Sequence, residues 1–442
     1  MCGFTGFIGK PENNIISRWE KAGELQRHRG PDHQNKHIIN HKDHKLLLSF
    51  QRLKIIDLSS EANQPMFSRD NNSIILFNGE IYNFIELRLE LEKKGIPFFS
   101  NSDTEVLLKS LQLWGPKKAC SKFNGMWAFA YINLRSDKIF FSRDRFGKKP
   151  LYYYLDENGL YFSSEAKSLL TMIGKKFELN YQVMGEFLFQ AKLNSSEDYF
   201  LKDISQIPSN CVKDFDINKR IVENKSINYW AYPKIQKNET DFDHSIEKIR
   251  DIFFDSVRLR LRSDVPVGVL LSGGLDSSSI AAACANMSRK NIILFSAVGL
   301  GLESDETPYI EKMGNYLNLD INKVDLSLDD QDIFGLLEKL IWINDQPLPS
   351  LSNLTHYLLT QKASNLGLKV LLTGQGADEL ICGYRKYLIF YYYYLIKKGK
   401  FFKATGLLRS FYKNKTILKK FNFLEAKPYI DFFYHNINFK GK

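Results

Sequence analysis

Cysteine is scarce in this chain: five in 442 residues, at positions 2, 120, 211, 284 and 382. Their number is odd and no pair has CxxC spacing, which offers neither a disulfide framework nor a zinc site. A reducing, cytoplasmic setting is the expectation. The start shows no basic segment followed by an apolar one, so no secretory leader is read there. Long hydrophobic runs are also missing. The longest, LIFYYYYLI at 388–396, has nine residues, well short of the ~20 needed to cross a bilayer. It reads as a core or interface helix, so no membrane partner is expected. Internal repeats and low-complexity segments are lacking too, which excludes solenoids and tails of biased composition.

Acidic residues are outnumbered, 50 against 61 Lys and Arg, for a net charge of +11. The excess is local. Residues 384–442 carry 14 basic and 2 acidic residues, so the rest of the chain nets −1. With no helix-turn-helix, RRM or zinc-finger pattern beside it, that tail does not make a nucleic-acid-binding groove.

What is present is apolar material, 44% of residues, enough for two or three packed domains. Residues 1–205 read as short strands (GFTGFIG, HKLLLSFQRLKIID, NSIILFNGEIYN, MWAFAYINL, KIFFSRD, PLYYYLD, LYFSS) with helices at 84–95 and 103–115. That predicts a layered domain of sheet covered by helix. Residues 206–240 are polar and irregular, a connection. From 241 helices alternate with strands: an amphipathic helix at 241–262, strand VPVGVLL, helix SSSIAAACANM, strand NIILFSAVGL, helix PYIEKMGNYLNL, strand LKVLLT and helix DELICGYRKY. Alternation of this kind predicts parallel βαβ units.

Two motifs carry chemistry. The chain opens MCGFTGFIG. Removal of the methionine would leave Cys2 with both a thiol, titrating near ~8.5, and an α-amine, near ~7.7–8.0, able to take the thiol's proton. The plainer alternative is an apolar strand with a buried cysteine. The second motif is VGVLLSGGLDSSSIAA at 267–282. A strand runs into Ser272, Gly273, Gly274, Leu275, Asp276 and Ser277, where a helix starts. Glycines let the backbone approach an anion, and the helix adds its positive end. Asp276 in such a cradle calls for a cation, Mg²⁺. Lys and the third Gly of the Walker A and dinucleotide motifs are missing.

SGGLDSS resembles the pyrophosphate loop of the N-type ATP pyrophosphatases, and LLTGQGADELICGY (371–384) is similar to a stretch of glutamine-dependent asparagine synthetases. Signatures of class II glutamine amidotransferases follow the Cys-Gly start in order: HRGPD (28–32), RLKIIDLSSEANQPM (52–66), FNGEIYNFIELR (77–88), SDTEVLL (102–108), RDRFGKKPLYY (143–153) and SSEAKSLL (163–170). The chain therefore resembles the glutamine-hydrolysing asparagine synthetase family over nearly its whole length. The resemblance implies an α+β N-terminal-nucleophile domain, an αββα sandwich, at 1–232. At 233–442 it implies an α/β ATP-pyrophosphatase domain with a parallel sheet.

It also implies roles. Cys2 would attack the side-chain amide of glutamine. Asn78 and Gly79 would stabilise the oxyanion; an Asn-Gly hairpin turn is the discounted alternative. Arg52 would pair with the α-carboxylate of glutamine, Asp103 with its α-ammonium, and Glu80 would complete the pocket. For Arg52 and Asp103 the alternative is a surface ion pair. His28 would be structural, placing the RGPD turn. Leu270, Ser272, Gly273, Gly274, Leu275, Asp276, Ser277, Val298, Thr373 and Gly374 would bind ATP, and Asp276 with Asp378 would hold Mg²⁺. The partners implied are glutamine, ATP and an acceptor carboxylate such as aspartate or a sugar acid, with a homodimer possible.

Three departures from the family pattern stand out. Gln375 replaces a glutamate that the resemblance ties to amide formation, and Cys382 replaces a glycine. The chain also stops 58 residues after the Tyr384 motif, which reads as a C-terminally incomplete synthetase domain. Two further readings follow, a glutaminase alone or a noncatalytic protein that binds nucleotide or a partner.

Overall fold

The computed structural model describes residues 1–193, 196–218, 226–234, 241–288, 292–298, 306–325 and 332–413. These fall into two compact units. The first holds residues 1–273 and 280–372; the second holds 274–279 and the chain from 373.

The first unit begins as four layers. Its strands are β1 (Gly3–Gly9), β2 (His33–His41), β3 (His44–Arg52), β4 (Met66–Phe67), β5 (Ser73–Ile81), β6 (Gly125–Asn133), β7 (Lys138–Arg143), β8 (Tyr152–Leu155), β9 (Gly159–Ser163), β10 (Ser205–Gln206), β11 (Cys211–Asp216) and β12 (Ile227–Asn228). They form two six-stranded sheets, ordered β10-β8-β9-β1-β3-β2 and β12-β11-β7-β6-β5-β4, antiparallel at every named pair. Strands with period-two side chains and both faces apolar need cover on both sides. Phe4, Ile8, Leu46, Leu48 and Phe50 of one sheet meet Ile74, Leu76, Ala130 and Phe141 of the other in the central core. The intervening residues Phe7 and Leu47 turn outward under α1 (Ile15–Leu25) and, further along, α5 (Ala166–Ile173), through Trp19, Ala22 and Met172. On the opposite outer face Ile75, Phe77 and Phe129 lie under α2 (Phe84–Glu92), α3 (Asp103–Trp114) and α4 (Pro116–Lys122). This is the αββα sandwich that the resemblance implies.

The same unit continues with helices α6 (Tyr181–Gln190) and α7 (Phe242–Arg260) and four parallel strands, β13 (Val267–Leu270), β14 (Ile292–Val298), β15 (Ile321–Asp325) and β16 (Val370–Leu372), in the order β15-β14-β13-β16. Helices α8 (Leu275–Ser288, whose first turn belongs to the second unit), α9 (Thr307–Leu317), α10 (Ile333–Asn344) and α11 (Ser352–Asn365) connect them. Leu294, Val269, Ala281, Cys284 and Ile310 pack one face, and Phe295, Leu359 and Ala363 the other.

In the second unit the sequence predicts one helix from 378 to 387, and the structure has two. Helix α12 (Ala377–Ile381) ends at Cys382 with φ 59°, and α13 (Arg385–Lys397) starts after Tyr384. A left-handed residue cannot continue a right-handed helix. The apolar run at 388–396 lies inside α13, with Leu395 buried, and α14 (Phe401–Lys413) follows. No helix among the described residues is long and apolar enough to cross a membrane.

Candidate active site

Strand register brings the first motif to its partners. Gly3 pairs with Gln51, so the next step out sets Cys2 across from Arg52 at the end of β3. The Leu53 amide then donates to Cys2 Sγ at 3.4 Å. Gly3 is fixed by space: a Cβ there would lie 2.3 Å from Gln26 Oε1. Gln26 in turn donates to Ser163 Oγ (2.7 Å) and the Phe4 carbonyl (3.3 Å) between two strands. A bulkier residue after the cysteine would displace this buried amide. Burial raises the Cys2 thiol above its ordinary pKa, opposed by the terminal amine, the Leu53 hydrogen bond, Arg52 and Lys149.

A cavity of about 200 Å³ opens beside Sγ, and every residue assigned to glutamine lines it: Cys2, Arg52, Asn78, Gly79, Glu80 and Asp103. Asn78 and Gly79 lie mid-strand in β5, paired with Ala128 and Trp127, so they are not a hairpin turn. A Cβ on residue 79 would meet the Met126 carbonyl at 2.1 Å. Asn78 Nδ2 is buried with no hydrogen-bond partner. A desolvated donor of this kind is costly unless something offers it an acceptor.

Arg52 is buried, not a surface ion-pair member. Its guanidinium donates to the carbonyls of Ser59 (2.6 Å) and Asp57 and to Asn63 Oδ1 (2.7 Å), which aim it while leaving its charge uncompensated by a bonded carboxylate. Asp103 is equally buried, at the start of α3 behind the capping residue Ser102, and accepts from the Ile81 amide at 2.9 Å. Loss of water, with Glu80 adding repulsion, pushes its carboxyl up to about 7. Glu80 is likewise raised by burial. The cavity thus holds a cationic fork and two carboxylates that would gain from an ammonium. That charge pattern matches the backbone of a free amino acid. His28 stands outside it, bonded through Nε2 to Glu165 (2.9 Å) and through Nδ1 to the Leu25 carbonyl (2.9 Å).

Sequence reasoning missed several cavity residues. Lys149 enters from RDRFGKKPLYY, a motif quoted for its family pattern without a role for that lysine. Arg260 comes from α7, and Lys369 with β16 forms another part of the wall. Only folding brings them here, and no local signal marks Arg260 or Lys369 for this cavity.

The residues assigned to ATP divide between the units. In the first, Leu270 and Val298 end the adjacent strands β13 and β14. Ser272 and Gly273 follow β13, and Gly273 has φ 74° with Tyr309 Cβ 3.0 Å from where its own Cβ would be. In the second unit, Gly274, Leu275, Asp276 and Ser277 lead into or begin α8. Thr373 and Gly374 belong to the same unit, and a Cβ on Gly374 would stand 2.9 Å from the Ser277 amide. Asp378 lies close enough to Asp276 that its charge, after burial, raises the Asp276 carboxyl. Two mutually repelling carboxylates suit a divalent cation bound with phosphate oxygens. Gln375 is exposed.

Comparison with known proteins shows the family. Residues 1–230 match the glutamine amidotransferase domain family and residues 248–424 the asparagine synthase family. A putative glutamine-hydrolysing asparagine synthetase 2 of Methanocaldococcus jannaschii is 34% identical over 423 residues, 92% of this chain and 80% of that protein. The chain belongs to the glutamine-hydrolysing asparagine synthetase family. Asparagine synthetase 1 of Bacillus subtilis is also 34% identical, over 88% of this chain and 59% of its own length. A glutamine phosphoribosylpyrophosphate amidotransferase from B. subtilis covers 73% of this chain and 81% of its own at 13% identity and TM-score 0.37, a likeness that carries no argument.

Proposed function

We propose that residues 1–232 hydrolyse glutamine at Cys2 and that residues 233–442 use the released ammonia to amidate a carboxylate activated by ATP. The observation that carries the first half is the convergence of Cys2, Arg52, Asn78, Gly79, Glu80 and Asp103 on one cavity. With Met1 removed, the Cys2 amine takes the thiol proton, and the thiolate attacks the glutamine side-chain carbon while Arg52 and Asp103 grip its backbone. Asn78 Nδ2 and the Gly79 amide receive the oxyanion, ammonia leaves, and water releases glutamate from the thioester. For the second half, Gly274, Leu275, Asp276 and Ser277 with Thr373 and Gly374, all in the second unit, support ATP binding. Asp276 and Asp378 would hold Mg²⁺, which neutralises triphosphate charge. Aspartate is the first acceptor to test, and a sugar acid is the alternative.

The experiment feeds the protein glutamine, ATP, Mg²⁺ and aspartate and quantifies glutamate, pyrophosphate and asparagine. Cys2→Ala should abolish glutamate release and keep any ammonia-dependent pyrophosphate formation. Asp276→Ala should lose ATP binding by calorimetry and retain glutamate release. Glutamate from the Cys2→Ala protein would refute the nucleophile, and unaltered ATP affinity in Asp276→Ala would refute the turn. Retained Met1 in active protein, seen by intact mass, would remove the proposed base.

A further inference from the structure

Lys149 lines the cavity beside Cys2 and has no part in the steps above. It is 6% exposed. Its backbone is pinned: its N–H donates to Asp144 Oδ2 (3.2 Å) and its carbonyl accepts from Arg143 Nε (2.6 Å). Its Nζ lies 2.9 Å from the Met1 thioether, a weak acceptor for an ammonium. Among the described residues no carboxylate stands within salt-bridge distance of it. A buried charge with so poor a partner is costly, and removing Met1 would take even that partner away.

We propose that Lys149 is a positioning residue for the nucleophile: once Met1 is gone, its ammonium faces the Cys2 amine and thiol and sets the charge state in which Cys2 attacks. This rests on the glutaminase reading of the cavity. The cation keeps the resting amine unprotonated and so free to accept a proton, and it favours negative charge on sulfur. A proton then passes from Sγ to the amine, sulfur bonds to the glutamine carbon, and the carbon–nitrogen bond breaks. The amine returns that proton to the departing ammonia, and Lys149 keeps its own throughout.

The other charged groups facing this spot are Glu80 on β5, Arg29, Arg52, Asp144 and Arg260, and Asp103 and Lys369 line the same cavity. Arg29 donates to the Cys2 carbonyl (2.9 Å) and is paired with Glu165 (3.1 Å), so part of its charge is already answered. With Met1 in place, the same groups act on its amine. Met1 is half exposed, yet its amine lies among these groups, and loss of water, then Arg29 and Lys149, lower it to about 5. Lys149 itself is lowered to about 8, first by burial.

The test uses mature protein and iodoacetamide, a thiol probe with neither the ammonium nor the carboxylate that Asp103 and Arg52 would hold. Lys149→Met keeps the length of the stem and removes the charge. It should move the pH profile of Cys2 alkylation up by about one unit, a tenfold slower reaction at pH 7. Lys149→Arg should keep the wild-type alkylation profile and extend glutamine turnover to higher pH, since arginine stays charged. An unchanged alkylation profile in Lys149→Met overturns the proposal. Should that variant fail to fold, an alkaline limb of glutamine kcat near pH 8 that does not move in Lys149→Arg overturns it instead. Wild-type protein that releases no glutamate defeats the glutaminase reading and this proposal with it.

Discussion

Asp103 shows how a single side chain can tie binding to pH. Its carboxyl sits near 7 because burial strips it of water and Glu80 repels its charge. In the proposed glutaminase only the ionised form would attract the α-ammonium of glutamine. Below pH 7 the site must first lose a proton, so the KM for glutamine should fall as pH rises through about 7, up to tenfold per unit on the acid side. Asp103→Asn should raise KM and flatten that limb while the alkylation profile of Cys2 stays put. A KM that keeps its acid limb in the variant would assign the titration to another group. The neighbouring Arg52 is built differently. Three hydrogen bonds from the 57–63 loop aim it, and its charge needs no titration to act.

At the scale of elements, the break between α12 and α13 shows what one substitution costs. Cys382 holds a left-handed conformation where the family pattern has glycine, and a Cβ on the next residue, Gly383, would come 1.9 Å from Asp378 Oδ1. The turn must be kept because it leaves room for that carboxylate. A non-glycine residue at φ 59° is disfavoured by ~1–2 kcal/mol, partly returned by the lower entropy of its unfolded chain. Cys382→Gly should therefore stabilise this unit by about 0.5–1 kcal/mol, read as a higher melting temperature. A lower one would show that the thiol makes contacts that outweigh the strain.

Across the whole first unit, the parallel-sheet half reaches into the supports of the cavity beside Cys2. Asp264, just before β13, accepts from the Asp57 amide at 2.7 Å, and its own amide donates to the Ile55 carbonyl at 3.0 Å. The Asp57 carbonyl in turn accepts from Arg52. Lys369, just before β16, bonds Asp32 at 2.7 Å, and Arg262 forks onto Glu86 at 2.5 and 2.6 Å. Asp264→Ala should loosen the loop that aims Arg52 and raise the KM for glutamine about 3- to 10-fold, with kcat nearly unchanged. Unaltered KM would show that the loop holds its shape without this contact.

The sequence by itself determined the layer pattern and the local chemistry. Period-two apolar strands followed by strand–helix alternation predict a sheet covered by helices and then a parallel sheet, the sandwich itself being what the family resemblance implied, and Cys-Gly, Asn-Gly and SGGLDSS are contiguous, so their backbone demands are local. The polar β2 strand was not legible, because its residues His33–His41 are held by ladder bonds to β3 and not by burial. Helix α1 also escaped, since its short apolar stripe of Ile15, Trp19 and Ala22 is decided by the sheet beneath it. Tertiary structure alone decided that Lys149, Arg260 and Lys369 line the same cavity as Cys2. Long-range pairing sets which distant charges meet, and no local pattern encodes that.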